Sequence, residues 1–457
     1  MKSALKGLAV IILIGVSVCF SVIYYNTFIR DKVFAENDGE AGGVQTVPTP
    51  TPTDQEENKP DEKVPDPVIP VFRTELPRNA NKLLSGFINN VGGYGIETLY
   101  ECYKLGERYV AIIGTTSDNC DIHENGSGIA IANFDQAGTL LSTYSLQADK
   151  REKYLSSSLY DNGIMIVTTN QTNVIIHSIA IDGSVNRLNL SISSDKAISY
   201  YTSIGTVVAC FTNDKIQVFC VGASLSVIYN FSFSAEGTTE PLALFKSGNF
   251  VLFANGANSG KIFSFDLSGK TGSINLQTIK DVIPTSEGYL VATKSNGKIF
   301  LNRYSYNLQA LGTTELASGE NVKLAVSETG YFALTFGGET PSSSYFLCKH
   351  FDTVSVNKSD YLGFTSVSEI ITISDKIYFV STLRGASYIY EYNTNNHVAK
   401  PMIQLENSDD LRFFLTTNNA GNEVYTLTMF FSSTNTIGDY SNNFGSSDVW
   451  MKRVEVD

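Results

Sequence analysis

Beyond residue 71 the chain shows no sustained helical spacing of apolar residues and no helix cap. One phrase recurs instead: strand, turn, aromatic or β-branched strand, polar turn, strand, turn, strand. The turn before the second strand is marked by Gly106, Gly163, Gly205, Gly248, Gly288, Gly330, Asp375 and Asn422. Successive markers stand 57, 42, 43, 40, 42, 45 and 47 residues apart. Second strands follow them, as at 108–114 (RYVAIIG), 164–167 (IMIV), 289–292 (YLVA) and 331–334 (YFAL). Third strands are read at 129–134, 174–181, 216–221, 262–265, 299–304, 345–348 and 388–392. Runs this short and apolar at successive positions predict strands covered on both faces. Several third strands run into Asp/Gly turns: Asp135-Gln136-Ala137-Gly138, Asp182-Gly183 and Asp266-Leu267-Ser268-Gly269. Asp and Gly close hairpins because they tolerate positive φ.

Four strands per unit at this period predict an all-β chain, a single β-propeller of four-stranded antiparallel blades. Eight markers give eight blades, or seven if residues 200–233 are absorbed into their neighbours. A four-stranded blade cannot bury both faces alone, so blades stack in a ring that must be locked. The last unit ends in 431–457 (FSSTNTIGDYSNNFGSSDVWMKRVEVD), with no fourth strand after it. Residues 82–90 (KLLSGFINN), followed by Val91-Gly92-Gly93, have no first three strands before them. Residues 83–89 are therefore expected to pair with 449–454 and close the ring, removing two open sheet edges.

A strand ending in Ser-Ser-Thr-Asn (432–435), an Asp/Asn/Gly loop and an Asp-Val-Trp strand (448–450) resemble the repeat of bacterial extracytoplasmic β-propeller proteins. The similarity is strongest over 92–144 and 431–457. It implies a scaffold outside the cytoplasm of a Gram-positive-type cell, and no chemistry. The chain departs from that repeat in having a single tryptophan, Trp450.

The N-terminal part is organised differently. Residues 8–25 (LAVIILIGVSVCFSVIYY) hold no charge, the lower end of what spans a bilayer as a helix. Two basic residues flank each side, Lys2 and Lys6 against Arg30 and Lys32, so charge alone leaves the orientation open. The bulk of the chain decides it. We expect a cytoplasmic tail at 1–7, an uncleaved transmembrane signal anchor at 8–25, and a single-pass protein of the cell membrane with its body exported; a form cleaved at Val33-Phe34-Ala35 and a lipoprotein form at Val16-Ser17-Val18-Cys19 stay open as alternatives. Residues 26–70 form a linker rich in Pro, Thr and acidic residues, expected to be disordered and extended. At about 3 Å per residue its acidic part could reach about 100 Å. The propeller domain takes 71–457.

Charge narrows the partners. The net charge is −13, and charged residues make up only 17% of the chain. An acidic body without a basic stripe excludes nucleic acid as the expected partner. Six cysteines, with no CxxC and no regular spacing, do not form a disulfide framework. Cys210 and Cys220 fall on adjacent strands, so either one bridge or two buried thiols is open.

Signatures of chemistry are sparse. Ser117-Asp118-Asn119 and Lys270-Thr271-Gly272 imitate a penicillin-binding serine site. The Ser-x-x-Lys that should precede them occurs only at Ser3-Ala4-Leu5-Lys6, at the membrane end, so the match is chance. His123, His177, His350 and His397 fall in separate units without paired spacing, which leaves zinc and nucleophile–base sites unsupported. No glycine-rich phosphate loop follows a strand and opens a helix. The five Asn-x-Ser/Thr sites, such as Asn125-Gly126-Ser127, are what an Asn/Ser-rich chain contains by chance.

Two polar loops, 116–128 (TSDNCDIHENGSG) and 437–448 (IGDYSNNFGSSD), hold equivalent places in the first and last units. Their Asp118, Asp121, Asn125, Asp439, Asn442, Asn443 and Asp448 offer hard oxygen ligands of the kind Ca²⁺ takes, without EF-hand spacing. Asp, Asn, Gly and Ser are also what tight loops use anyway. No catalytic residue and no cofactor is expected, calcium excepted. Three functions follow. The first is a membrane-anchored binding module meeting a protein or glycan at one rim, where 118–127 and 438–447 would lie side by side. The second is a polysaccharide hydrolase or lyase with acidic residues at the central channel. The third is a structural envelope protein without a ligand.

Overall fold

The structure is a computed structural model. It describes residues 87–92, 95–116, 128–146, 152–160, 163–180, 183–327, 330–337, 344–349, 353–357, 366–373, 376–383, 386–393, 398–406, 408–417, 425–433 and 448–456. All lie in the compact unit that runs from Val68 to Asp457. The expected anchor at 8–25 and the linker fall outside the described residues. Among those described, no helix is long and apolar enough to cross a membrane.

Eight four-stranded antiparallel sheets make up the described chain. Seven are simple meanders, spanning 97–146, 153–190, 196–234, 238–276, 278–318, 321–357 and 366–406. We number them one to seven. The eighth takes three strands from 408–456 and its fourth from Phe87–Val91. Residues 200–233, the stretch that could have been absorbed, lie within a complete sheet of their own, the third.

The pairing of the two ends is present. Phe87 stands opposite Lys452, Asn89 opposite Met451, Asn90 opposite Trp450 and Val91 opposite Val449. The described strand is Phe87–Val91, and residues 83–86 of the expected pairing lie outside the described residues. Behind this pair, Val91, Val449 and Met451 pack with Leu99, Tyr109, Phe134 and Phe430, so the first sheet rests on the eighth.

Marker glycines sit where second strands start: Gly106 and Gly248 take positive φ with open space around them, while at Gly163, Gly205 and Gly288 the reason is steric. A Cβ on Gly163 would stand 2.0 Å from the Ile179 carbonyl oxygen, and one on Gly288 1.9 Å from that of Tyr304. Only glycine lets the third strand lie so close. The second strands are the most buried, with Gly163–Thr169 and Gly205–Phe211 covered along their full length. Fourth strands such as Val227–Ser234 are mostly exposed. First strands contact the first strands of neighbouring sheets, and that of the eighth contacts that of the first, so they lie nearest the axis. This is a β-propeller.

The core is distributed rather than central. Each apolar cluster among the described residues spans two consecutive sheets. Ile112 and Ile131 meet Ile164 and Ile166; Val167 and Ile176 meet Val208 and Phe219; Phe253 and Ile262 meet Tyr289 and Val291.

Register settles the cysteines. Cys210 stands opposite Gln217 and Cys220 opposite Val207. The two thiols are therefore on opposite faces, Cys210 packed toward the second sheet and Cys220 toward the fourth. Both are free and buried, as is Cys102. The bridge left open by sequence is not formed, because alternation along paired strands points the side chains apart.

One buried polar group pins the second sheet. Glu152, just before its first strand, accepts hydrogen bonds from Thr168 Oγ1 (2.7 Å) and Arg187 Nη2 (2.9 Å) and lies 2.9 Å from His177 Nε2. The carboxylate and imidazole side chains are 3% and 4% exposed. Burial pushes the Glu152 carboxyl up, but His177, Thr168 and Arg187 together outweigh it and hold it below the ordinary 4.5. His177 is thus a packed histidine within this pin.

Two outcomes are expected. Val91→Ala removes two buried methyl groups and should cost about 2–3 kcal/mol in urea unfolding. The transition, followed by Trp450 fluorescence and by far-ultraviolet circular dichroism, should shift as one; an unchanged midpoint would show that the end-to-end pairing frays without consequence. For Glu152 the lowered value means its contribution is complete above pH 4.5 and lost as pH falls through its own lower value. The wild type should therefore lose stability more steeply than Glu152→Gln between about pH 5 and 3.

Candidate functional site

The first strands carry a feature that the hydrophobic pattern does not reveal. In five of the eight sheets the first strand loses one register step at a bulge, followed by a polar residue. The shifts fall between Leu99 and Glu101, Tyr154 and Ser156, Ile279 and Asp281, Val367 and Glu369, and Asp409 and Arg412. The first strand of the fourth sheet is shifted twice. A bulge inserts a residue, bends the strand and re-aims the next side chain.

The residues after these bulges occupy one level around the axis. Glu101 stands opposite Ile112, Ser156 opposite Val167, Asp281 opposite Ala292, Glu369 opposite Val380 and Arg412 opposite Phe430. Ile198, Ala243 and Lys323 hold the same position in the third, fourth and sixth sheets. The tier is charged or polar except over the third and fourth sheets.

Tier residues couple one sheet to the next. Arg412 Nε donates to Glu101 Oε1 at 2.9 Å, from the eighth sheet to the first. Ser156 Oγ donates to Ser199 Oγ at 3.4 Å, from the second to the third. Asp281 Oδ2 accepts from the Leu324 amide at 2.7 Å, from the fifth to the sixth. Burial pushes the Asp281 carboxyl up, against the opposing pull of Lys323 and of the Leu324 and Val282 amides. Cys102 is fully covered beside the tier, and burial, then Glu101 and Glu369, push its thiol well up. It is no nucleophile at neutral pH.

Tyrosines extend the tier. Tyr100 and Tyr154, on the first strands of the first and second sheets, stack with centroids 4.8 Å apart and planes 7° off parallel. Gly114 makes this possible, since a Cβ there would collide with the Tyr100 hydroxyl. Ser157 Oγ lies 2.7 Å from both the Tyr103 and Tyr154 hydroxyls. Burial pushes both phenols well above their ordinary value of 10. Ser157 therefore has donors and acceptors beside it but no base to activate it. The arrangement suits recognition by planar aromatic, hydroxyl, guanidinium and carboxylate groups.

Asp118, Asp121, Asn125, Asp439, Asn442 and Asn443 lie outside the described residues, as do His123, His350 and His397. Asp448 opens the last strand, opposite Ser433. Among the described residues no cluster of three His, Cys, Asp or Glu could hold a metal ion. The tier was missed, although a signal for it existed. Ser156, Ile198, Asp281 and Lys323 each stand seven residues before a marker glycine.

No protein-family profile matches the chain, and no curated protein is similar to it in sequence. Solved structures match the chain at low identity. A putative 6-phosphogluconolactonase from Bacteroides fragilis matches with a TM-score of 0.45 at 11% identity, over 66% of this chain and 96% of its own. Virginiamycin B lyase from Staphylococcus aureus matches at 0.41 and 12%, over 65% and 94%. The β-propeller domain of the Trilobed protease from Pyrococcus furiosus matches at 0.40 and 9%, over 80% and 97%. At these values the likeness concerns architecture and carries nothing about activity.

Proposed function

We propose that the chain is a membrane-anchored, extracytoplasmic binding module, and that its eight sheets are the blades of one closed ring. The observation that carries the binding reading is the axial tier with its tyrosines. Stacked Tyr100 and Tyr154, the Tyr103–Ser157–Tyr154 hydroxyl bridge and the Glu101–Arg412 pair meet on neighbouring first strands. Their positions are held by the sheets, so a ligand meets groups already ordered. None is prepared to act as nucleophile or base. The ligand is a polar chain, protein or glycan, reaching the axis from one rim. The exported location is supported by the uncharged run at 8–25 and the acidic, Pro-rich stretch after it.

A polysaccharide hydrolase or lyase is the second reading, and one observation favours it. Glu101 and Glu369 hold the same post-bulge position on the first strands of the first and seventh sheets, so the tier carries two carboxylates.

Binding is tested with the full chain in detergent micelles against arrays of surface glycans and proteins. Tyr154→Phe, which keeps the ring and removes a hydrogen bond, should weaken capture about three- to tenfold, and Arg412→Ala by more. Capture unaffected by both variants would remove the axis from consideration. Release of new reducing ends or unsaturated sugars, lost in Glu369→Gln, would favour the enzyme. Protease added to intact cells producing the full chain should digest the propeller; full protection would place it inside.

A further inference from the structure

Away from the axis, between the fourth and fifth sheets, lies an open groove of about 500 Å³. It opens on the rim that carries the turns between first and second and between third and fourth strands. Ser247, Asn249, Ser264 and Thr271 of the fourth sheet line it on one side, Tyr306 and Asn307 of the fifth on the other. Its size is within the usual range for small-ligand sites, about 300–1,000 Å³. None of its lining residues carries a charge.

The polar groups are arranged rather than scattered. Thr271 Oγ1 donates to Ser264 Oγ at 2.9 Å. Asn249 Nδ2 donates to Thr271 Oγ1 at 3.3 Å and to Ser264 Oγ at 3.4 Å. Ser264 thus accepts twice, while its own proton and the Asn249 carbonyl oxygen have no partner among the described residues. Across the groove Tyr306 is 37% exposed, yet its ring is fixed. Its hydroxyl donates to the Thr285 carbonyl at 2.5 Å, and the ring stands edge-on to buried Tyr289 at 5.7 Å and 86°.

Each class of ligand can be weighed against these groups. An anionic ligand would find no cation in the lining. An apolar ligand would cover the spare hydroxyl and amide without pairing them, which is costly. A neutral sugar fits both walls. Its hydroxyls both donate and accept, as the Asn249–Ser264–Thr271 network requires, and its C–H face can lie against a fixed aromatic ring. We propose that this groove is a binding subsite for a neutral saccharide unit of a glycan, separate from the axial tier.

The test uses the full chain in detergent micelles, titrated calorimetrically with cellohexaose, maltohexaose and chitohexaose. A heparin hexasaccharide and an uncharged Gly/Ser hexapeptide serve as controls. At least one neutral hexasaccharide should bind with a dissociation constant of about 1 mM or below. Asn249→Ala and Tyr306→Ala should each weaken it about tenfold with the far-ultraviolet circular dichroism of the folded chain retained, while Tyr306→Phe stays within about threefold. The proposal is overturned if no neutral probe binds at about 10 mM, or if only heparin or the peptide binds. It is equally overturned if binding survives Asn249→Ala and Tyr306→Ala. Loss in Arg412→Ala alone would assign the sugar to the axis, leaving the binding reading intact and this groove empty of function.

Discussion

A four-stranded sheet with two apolar faces is unstable in water until both faces are covered. Every other property of this fold follows from how that covering is achieved. Gly163–Thr169 and Gly205–Phe211 are buried throughout because each lies between two neighbouring sheets. The apolar clusters accordingly belong to interfaces: Ile112 with Ile164, Val167 with Val208, Phe253 with Tyr289. No sheet owns its core. The series can stop only where the first sheet covers the eighth, and Val91, Tyr109, Phe430 and Met451 are found there.

Packing of this kind leaves the axial edge of each sheet as the place where polar groups meet. The first strands resolve it with bulges that turn one side chain toward the next sheet. Arg412 reaches Glu101, Ser156 reaches Ser199 and Asp281 reaches the Leu324 amide. Apolar contact sets the spacing of the sheets, and these polar couplings set their angular register. A group that orients two sheets and is itself partly open to the axis can also meet a ligand.

Much of this was legible in the chain. Gly163 and Gly288 announce second strands because the next strand passes too close for any Cβ. Third strands such as Gly260–Asp266 show as short apolar runs closed by Asp266, whose Oδ1 accepts from the Ser268 and Gly269 amides. The union of the two ends was also readable, since residues 82–90 lack partners nearby in sequence. The axial tier was not seen. A bulge depends on register against a neighbouring strand, which hydrophobic period does not encode, so nothing in the period sets Glu101 and Arg412 apart from other charges. The choice between a bridge and two buried thiols has the same limit: adjacency of strands is visible, but the alternation that separates Cys210 from Cys220 requires the pairing itself. The groove at Asn249 and Tyr306 joins residues from different sheets, and no local pattern links them.

The union of Phe87–Val91 with Asp448–Val456 has a temporal meaning as well. Val91 is synthesised early and cannot meet Val449 until nearly the whole propeller has been made. Until then the first sheet keeps one apolar face, around Tyr109 and Phe134, open to solvent or to other chains. Contacts of such long sequence separation form slowly, and the waiting intermediate is the species most exposed to aggregation. Sheets in the middle of the chain can stack as they appear, but the ring matures only at its seam. Errors near either side of that seam would thus act on the yield of folded protein before they act on any property of the folded state.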